Sequence, residues 1–168
     1  VKLDSDGNHF WSRAFGGSGY EAATRIATNA AGNVVVVGSP QSPQIDFGGG
    51  PLLAGADNDA FFFELDPNGN HLWSRRDGTA GGVGLRDVTT DANGNIYAVG
   101  SLDGSVDFGG DMLTSTTLSD VLVLKLDSAG NHIWSRRFGD LSSQVGYQIA
   151  CDVAGDVVIG GQFSYTID

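Results

Sequence analysis

The chain has 168 residues, of which 40% are hydrophobic, so it can form one domain with a buried core. Its formal net charge of −11, with nine Lys and Arg residues in all, argues against binding to nucleic acid or an anionic membrane, which requires clustered cations. The single Cys excludes an internal disulfide framework, and no apolar run approaches the about 20 residues of a membrane span, so we predict no membrane insertion.

One segment occurs three times along the chain and defines a repeat. Its copies occupy residues 3–13, 65–75 and 126–136, and each contains one Trp, one His and a Gly-Asn pair. The three Trp residues are 62 and 61 positions apart, so the repeat is about 61 residues long. The chain therefore holds just under three repeats.

Each repeat predicts four short strands, which we name a to d in chain order. In the first complete repeat, strand a lies near Ile26, and strands b, c and d occupy residues 34–38, 60–65 and 71–76. These runs are rich in Val, Ile, Phe and Leu and are bounded by Gly, Asn or Asp. No stretch has a helical periodicity long enough to predict a helix.

The a–b and c–d connections contain Gly-Asn or Gly-Asp pairs and predict tight hairpins between antiparallel strands. A four-stranded antiparallel sheet in each repeat is typical of a β-propeller blade, so we predict an all-β fold with residues 1–168 forming a single partial propeller. The predicted divisions are the end of one blade (1–15), two whole blades (16–77 and 78–138) and the first half of another (139–168).

The repeat resembles the bacterial SBBP-type β-propeller repeat. The resemblance rests on the pattern Leu-Asp-x-x-Gly-Asn-x-x-Trp-Ser-Arg, followed by Gly-Asn-Val-Val-Val-x-Gly and Ile-Asp-Phe-Gly-Gly-Gly, and it covers nearly the whole chain. Proteins of that family are mostly large, secreted or surface-associated bacterial proteins without an assigned activity. The resemblance therefore implies a propeller fold and an extracellular or cell-surface location, and it leaves the function open.

Propellers typically have four to eight blades, so we do not expect just under three repeats to close a ring. Two arrangements remain as alternatives. The chain belongs to a longer array of repeats, or copies join head to tail, with strands a and b of one copy meeting strand d of the next and two copies supplying roughly six blades. The expected partner is a further set of blades of the same protein, as in a homo-oligomer, or another protein.

In each repeat an Arg follows the Trp by two positions, so both side chains lie on one face of strand d. The candidate ligand-binding residues are Trp11, Arg13, Trp73, Arg75, Trp134 and Arg136. Such pairs could bind a glycan between blades. The alternative is packing of the indoles between blades, and the apolar residues Phe10, Leu72 and Ile133 predict that both faces of strand d are buried.

Metal ligation is a weaker interpretation, and we expect no cofactor. One His per repeat follows a turn, without a second ligand nearby, and is expected to face solvent. These residues are His9, His71 and His132. One Asp per repeat precedes a Gly-rich loop, where it is expected to cap backbone amides, with an ion site as the alternative. These residues are Asp46, Asp107 and Asp168.

The sequence contains neither a Gly-x-Ser-x-Gly nor a His-Glu-x-x-His motif. A catalytic site should break the symmetry of the repeat, and the acidic residues mostly recur with it. We therefore expect a non-enzymatic scaffold or interaction module, with a carbohydrate-binding propeller as the alternative.

Overall fold

A computed structural model describes residues 1–55, 59–78, 81–115 and 118–164. Over these residues the chain forms β-strands and no helix, so none is available to cross a membrane. The strands are β1 (Lys2–Leu3), β2 (His9–Trp11), β3 (Glu21–Thr28), β4 (Val34–Pro40), β5 (Gln44–Asp46), β6 (Pro51–Leu53), β7 (Ala60–Leu65), β8 (His71–Asp77), β9 (Gly81–Thr90), β10 (Ile96–Val106), β11 (Leu113–Thr114), β12 (Asp120–Leu126), β13 (His132–Phe138), β14 (Val145–Cys151) and β15 (Val157–Gln162).

The strands form two complete antiparallel sheets between two hairpins. Sheet I has the order β3-β4-β7-β8, and sheet II has the order β9-β10-β12-β13. The N-terminal hairpin is β1–β2, and the C-terminal hairpin is β14–β15. The predicted all-β, antiparallel fold is confirmed, and the four strands of sheets I and II correspond to strands a to d of the two complete repeats.

The c–d turns are built by their first Asp. In the turn of sheet I, Asp66 Oδ1 accepts the N–H groups of Asn68 and Asn70, both at 2.8 Å, and the Asn70 side chain donates to Asp66 Oδ2 at 2.9 Å. Gly69 has a φ of 79°, which a residue with a Cβ rarely adopts. Asp4 and Asp127 make the corresponding bonds in their own turns, so these acids close hairpins.

The b–c connections differ between the two sheets, and the sequence analysis did not predict strands there. In sheet II, β10 continues to Val106 and pairs with β11. In sheet I, β4 ends at Pro40, and the separate hairpin β5–β6 follows Pro43. Proline has no N–H to donate to a strand ladder, so the two prolines interrupt the pairing that the other repeat keeps.

Apolar side chains of consecutive repeats form the core. Val35, Val37 and Phe62 of sheet I pack with Ile96 and Ala98 of sheet II. A second cluster joins sheet II to the C-terminal hairpin, and a third lies between sheet I, the hairpin β5–β6 and the N-terminal segment. Each repeat thus buries its sheet faces against its neighbours.

Burial of both faces of strand d was a wrong prediction. The apolar residues on the face opposite the Trp are exposed: Phe10 by 62%, Leu72 by 48% and Ile133 by 46%. Strand d is the edge strand of each complete sheet, and the Trp on its other face donates a hydrogen bond to the adjacent repeat.

Candidate functional site

The first Trp–Arg pair lies on the c–d turn of the following repeat. Trp11 Nε1 donates to the carbonyl oxygen of Pro67 at 2.9 Å, and Arg13 Nε donates to that of Gly69 at 2.9 Å. A Cβ atom on Gly69 would lie 2.9 Å from Cδ2 of the indole, so only glycine allows the ring to approach so closely. Trp11 and Arg13 therefore join two repeats.

The second pair repeats this arrangement one sheet further along. Trp73 Nε1 donates to the carbonyl oxygen of Ser128 at 3.2 Å and to Glu64 Oε2 at 2.7 Å. Arg75 Nη1 donates to the carbonyl oxygen of Gly130 at 2.7 Å. The indole and the guanidinium group are thus bound to the c–d turn of sheet II.

The third pair carries no such turn in the part of the chain that the structure describes. Trp134 and Arg136 line a groove of about 550 Å³ together with His132 and Ile133. Within the described ranges, the Arg136 guanidinium donates to the adjacent Ser135 carbonyl alone, at 3.2 Å. The surface of Trp134 and Arg136 that is equivalent to the turn-binding surface of the first two pairs is therefore a groove.

The expectation that the histidines face solvent holds for His9 and is wrong for the other two. His71 and His132 are partly buried, and a Cβ atom on Gly49 or Gly110 would overlap their imidazole rings. The Gly-rich loops lack side chains at these points because the rings occupy the space. In the described ranges, no group of three or more His, Cys, Asp or Glu residues is placed to hold a metal ion.

The Asp residues before the Gly-rich loops cap backbone amides, as expected. Asp46 Oδ1 accepts the N–H groups of Gly48 at 2.7 Å and Gly50 at 3.0 Å. Asp107 Oδ1 does the same for two glycines of its own loop. Asp168 lies outside the described residues.

A further candidate site, which the sequence analysis missed, lies where three strands a meet. β3, β9 and β14 lie side by side, and each contains one β-bulge. The bulged residues are Thr24, Arg86 and Tyr147. A bulge redirects a side chain, and these three line one cavity of about 480 Å³ with Arg25 and Gln148.

The cavity at the bulges is rich in hydrogen-bond donors and positive charge. Arg25 Nε lies 3.7 Å from Asp87 Oδ1, and Asp87 Oδ2 accepts the N–H of Ile149 at 3.0 Å. Arg86 has no hydrogen bond or ion pair to any residue in the described ranges. The guanidinium groups of Arg25 and Arg86 outnumber the single carboxylate of Asp87, which favours an anionic ligand. A ligand carboxylate suits them, because it is planar and can accept two parallel hydrogen bonds from a guanidinium group.

A comparison of the repeats at one position would have found this site. The bulged position is Thr in one repeat, Arg in the next and Tyr in the third, so the symmetry does break here. The glycines opposite the bulges recur in every repeat, because a Cβ there would overlap a carbonyl group of strand a. These glycines are Gly38, Gly100 and Gly161. From the sequence alone, these glycines are predicted only as the ends of strands b.

No protein-family model matches the chain, and no curated protein matches its sequence.

Proposed function

We propose that this chain is a non-enzymatic β-propeller module that acts as an interaction scaffold on the bacterial cell surface or outside the cell. The observation that carries the proposal is the repeated junction, in which a Trp and an Arg of one repeat bind the c–d turn of the next. The location is the one that the resemblance of the repeat implies.

The placement of the strands supports a propeller rather than a flat stack of sheets. Strands a of consecutive repeats contact one another along β3, β9 and β14. Strands d carry apolar residues that are 46% to 62% exposed on the face opposite the Trp. Sheets that contact one another through their strands a are arranged like blades around an axis.

The architecture can be tested with two copies joined in one polypeptide. A copy of residues 47–62 serves as the linker. Asp168 is equivalent to Asp46 and Val1 to Phe63 in the repeat, so this segment is the one that joins those two positions. Small-angle X-ray scattering should give a radius of gyration of about 20 Å, the value for a compact chain of that length. An extended scattering profile would contradict the propeller, and a scrambled linker of equal length is the control.

The cavity at the bulges favours a second candidate function, the binding of a small acidic sugar. A cavity of about 480 Å³ lies within the usual range for small-molecule sites. Arg86 and Arg25 offer donors to a carboxylate, and Tyr147 and Gln148 offer polar and aromatic contacts to a sugar ring. In this proposal the glycan binds at the strands a, whereas the indoles of Trp11 and Trp73 lie on turns.

Calorimetric titration with glucuronate tests this second function. We expect saturable binding that weakens at least about tenfold in Arg86→Gln, because a hydrogen bond to a charged group is lost. The Lys125→Gln variant removes one positive charge outside the cavity and should bind like the unmodified chain. Equal binding of glucose, or undiminished binding by Arg86→Gln, would exclude a carboxylate site.

A further inference from the structure

The junction between repeats has one unmatched half at each end of the described chain. Among the residues that the structure describes, no turn lies against Trp134 and Arg136, and no Trp lies against the turn at residues 4–8. A Cβ atom on Gly7 would find nothing within 4 Å. The equivalent Cβ on Gly69 or Gly130 would collide with the indole of the preceding repeat.

We infer that the Trp134 groove of one copy binds the turn at residues 4–8 of a second copy, in a head-to-tail assembly. By equivalence with the internal junctions, Trp134 Nε1 donates to the carbonyl oxygen of Ser5, and the Arg136 guanidinium donates to that of Gly7. The inference rests on the proposed propeller architecture, because it extends the stacking of repeats from one copy to the next.

The turn at residues 4–8 already has the shape that the other two indoles bind. Its Gly7 has a φ of 82°, against 79° for Gly69 and 80° for Gly130. Its closing hydrogen bond, from Asp4 N to Asn8 O, is 2.9 Å long, and the equivalent bonds are both 2.8 Å. The turn can therefore dock without rearrangement, which avoids a conformational cost of binding.

The two hairpins are complementary halves of a sheet. Among the residues that the structure describes, β1 pairs only with β2, and β15 pairs only with β14. The order β14-β15-β1-β2 across two copies reproduces the order of sheets I and II. Unpaired strand edges favour such pairing, since their N–H and C=O groups lack partners in the ladder.

A cleft on sheet I matches the outer face of the C-terminal hairpin. Ile26 is 65% exposed, whereas the equivalent Val88 and Ile149 are 6% and 7% exposed because the preceding sheet covers them. The cleft beside Ile26 has a volume of about 600 Å³ and an apolar lining. Val158 on β15 is 73% exposed and is equivalent to Val35, which packs against the next sheet. Val158 of a second copy therefore fits this cleft.

Light scattering coupled to size exclusion, over a dilution series of the 168-residue chain, tests the assembly. We expect a species of twice the 17.5 kDa chain mass, which closes a ring with two junctions. A salt concentration of roughly 0.5 M screens the repulsion between two copies that each carry a net charge of −11. A monomer at every concentration would overturn the inference.

Two variants test the docking surface. Val158→Lys places a charge on the outer face of β15 and should give a monomer with an unchanged circular dichroism spectrum. Trp134→Ala should also give a monomer. Leu72→Lys introduces the same charge at an exposed apolar residue outside the docking surface and should stay dimeric. A dimer that survives Val158→Lys would overturn the inference.

A mixture of variants distinguishes head-to-tail docking from a symmetric contact. Ile26→Lys blocks the cleft of one copy, and Val158→Lys blocks the hairpin of the other, so each variant alone is expected to be a monomer. An equimolar mixture retains one intact junction and should associate at high concentration. Absence of association in the mixture would overturn the head-to-tail geometry. If the chain is a monomer while the two-copy polypeptide gives a compact scattering profile, this inference is rejected and the proposed function stands.

Discussion

Trp73 of one repeat covers Gly130 of the next so closely that a Cβ atom on Gly130 would lie 2.6 Å from Cε3 of the indole. The same relationship joins Trp11 to Gly69. The recurrence of one Trp and one Gly-Asn turn in each repeat thus has a single physical cause. The indole of one repeat packs directly on the backbone of the next, which requires a residue without a Cβ atom.

Replacement of Trp73 by Ala should lower the free energy of unfolding by about 3 kcal/mol, at the low end for a Trp because the ring is half-buried. The change removes the packing on Gly130 and the donor to Ser128. Urea unfolding followed by circular dichroism measures it. The adjacent Leu72→Ala, on the exposed face, should change stability by less than about 0.5 kcal/mol. Equal effects would show that the indole does not hold the repeats together.

Glycines opposite the bulges should not tolerate a methyl group. In Gly100→Ala the new Cβ would overlap the carbonyl group of Gly84 in β9, so we expect a loss of about 2 kcal/mol or more. Gly160→Ala is the control, because its Cβ would lie 4.0 Å from the nearest neighbour, Gln148. Thermal melts of both variants make the comparison. A stable Gly100→Ala protein would mean that the bulge does not require close backbone approach.

The ion pairs should differ in strength according to their burial. Arg76 Nε lies 2.7 Å from Asp59 Oδ2, and both side chains are almost fully buried. Arg76→Gln leaves a buried carboxylate without its cation and should cost about 3–5 kcal/mol. Arg25→Gln breaks a 3.7 Å pair whose Arg is 56% exposed and should cost less than about 1 kcal/mol. Chemical denaturation of the two variants should give clearly separate midpoints.

The c–d turns should weaken in acid. Hydrogen bonds from the backbone and side chain of Asn70 lower the pKa of Asp66 from its ordinary value of 3.8. A lowered pKa in the folded state contributes stability that is present above the ordinary value and is lost as pH falls through the folded value. The stability difference between Asp66→Asn and the unmodified chain should therefore shrink between pH 7 and pH 3.

Asp6→Asn is the matched control for the loss of a carboxylate from such a turn. It removes one carboxylate from an equivalent exposed turn, at a position whose side chain makes no hydrogen bond in the described structure. At pH 7 it should lower the free energy of unfolding less than Asp66→Asn does, because it breaks no hydrogen bond of the turn. A difference for Asp66→Asn that does not change with pH would show that the turn bonds do not depend on ionisation of Asp66.

Strands c and d could be predicted closely because local chemistry determines them, whereas strand b continues past its predicted end at residue 38 to Pro40 in β4. β7 (Ala60–Leu65) has the predicted bounds, and β8 (His71–Asp77) differs by one residue. The capping of loop amides by Asp46 and Asp107 also follows from residues two to four positions apart. The hairpin β5–β6 was missed, because its short strands lie in a connection without a period-two apolar pattern.

By itself, the sequence determined the repeat length, the strand positions and the turns, since Gly, Asn and apolar runs act over a few residues. Tertiary structure alone decided which face of strand d is buried and which side chains meet at the bulges. Thr24, Arg86 and Tyr147 lie about 60 residues apart along the chain. They share one cavity only because three sheets stack with their bulges aligned, and that alignment depends on packing between repeats.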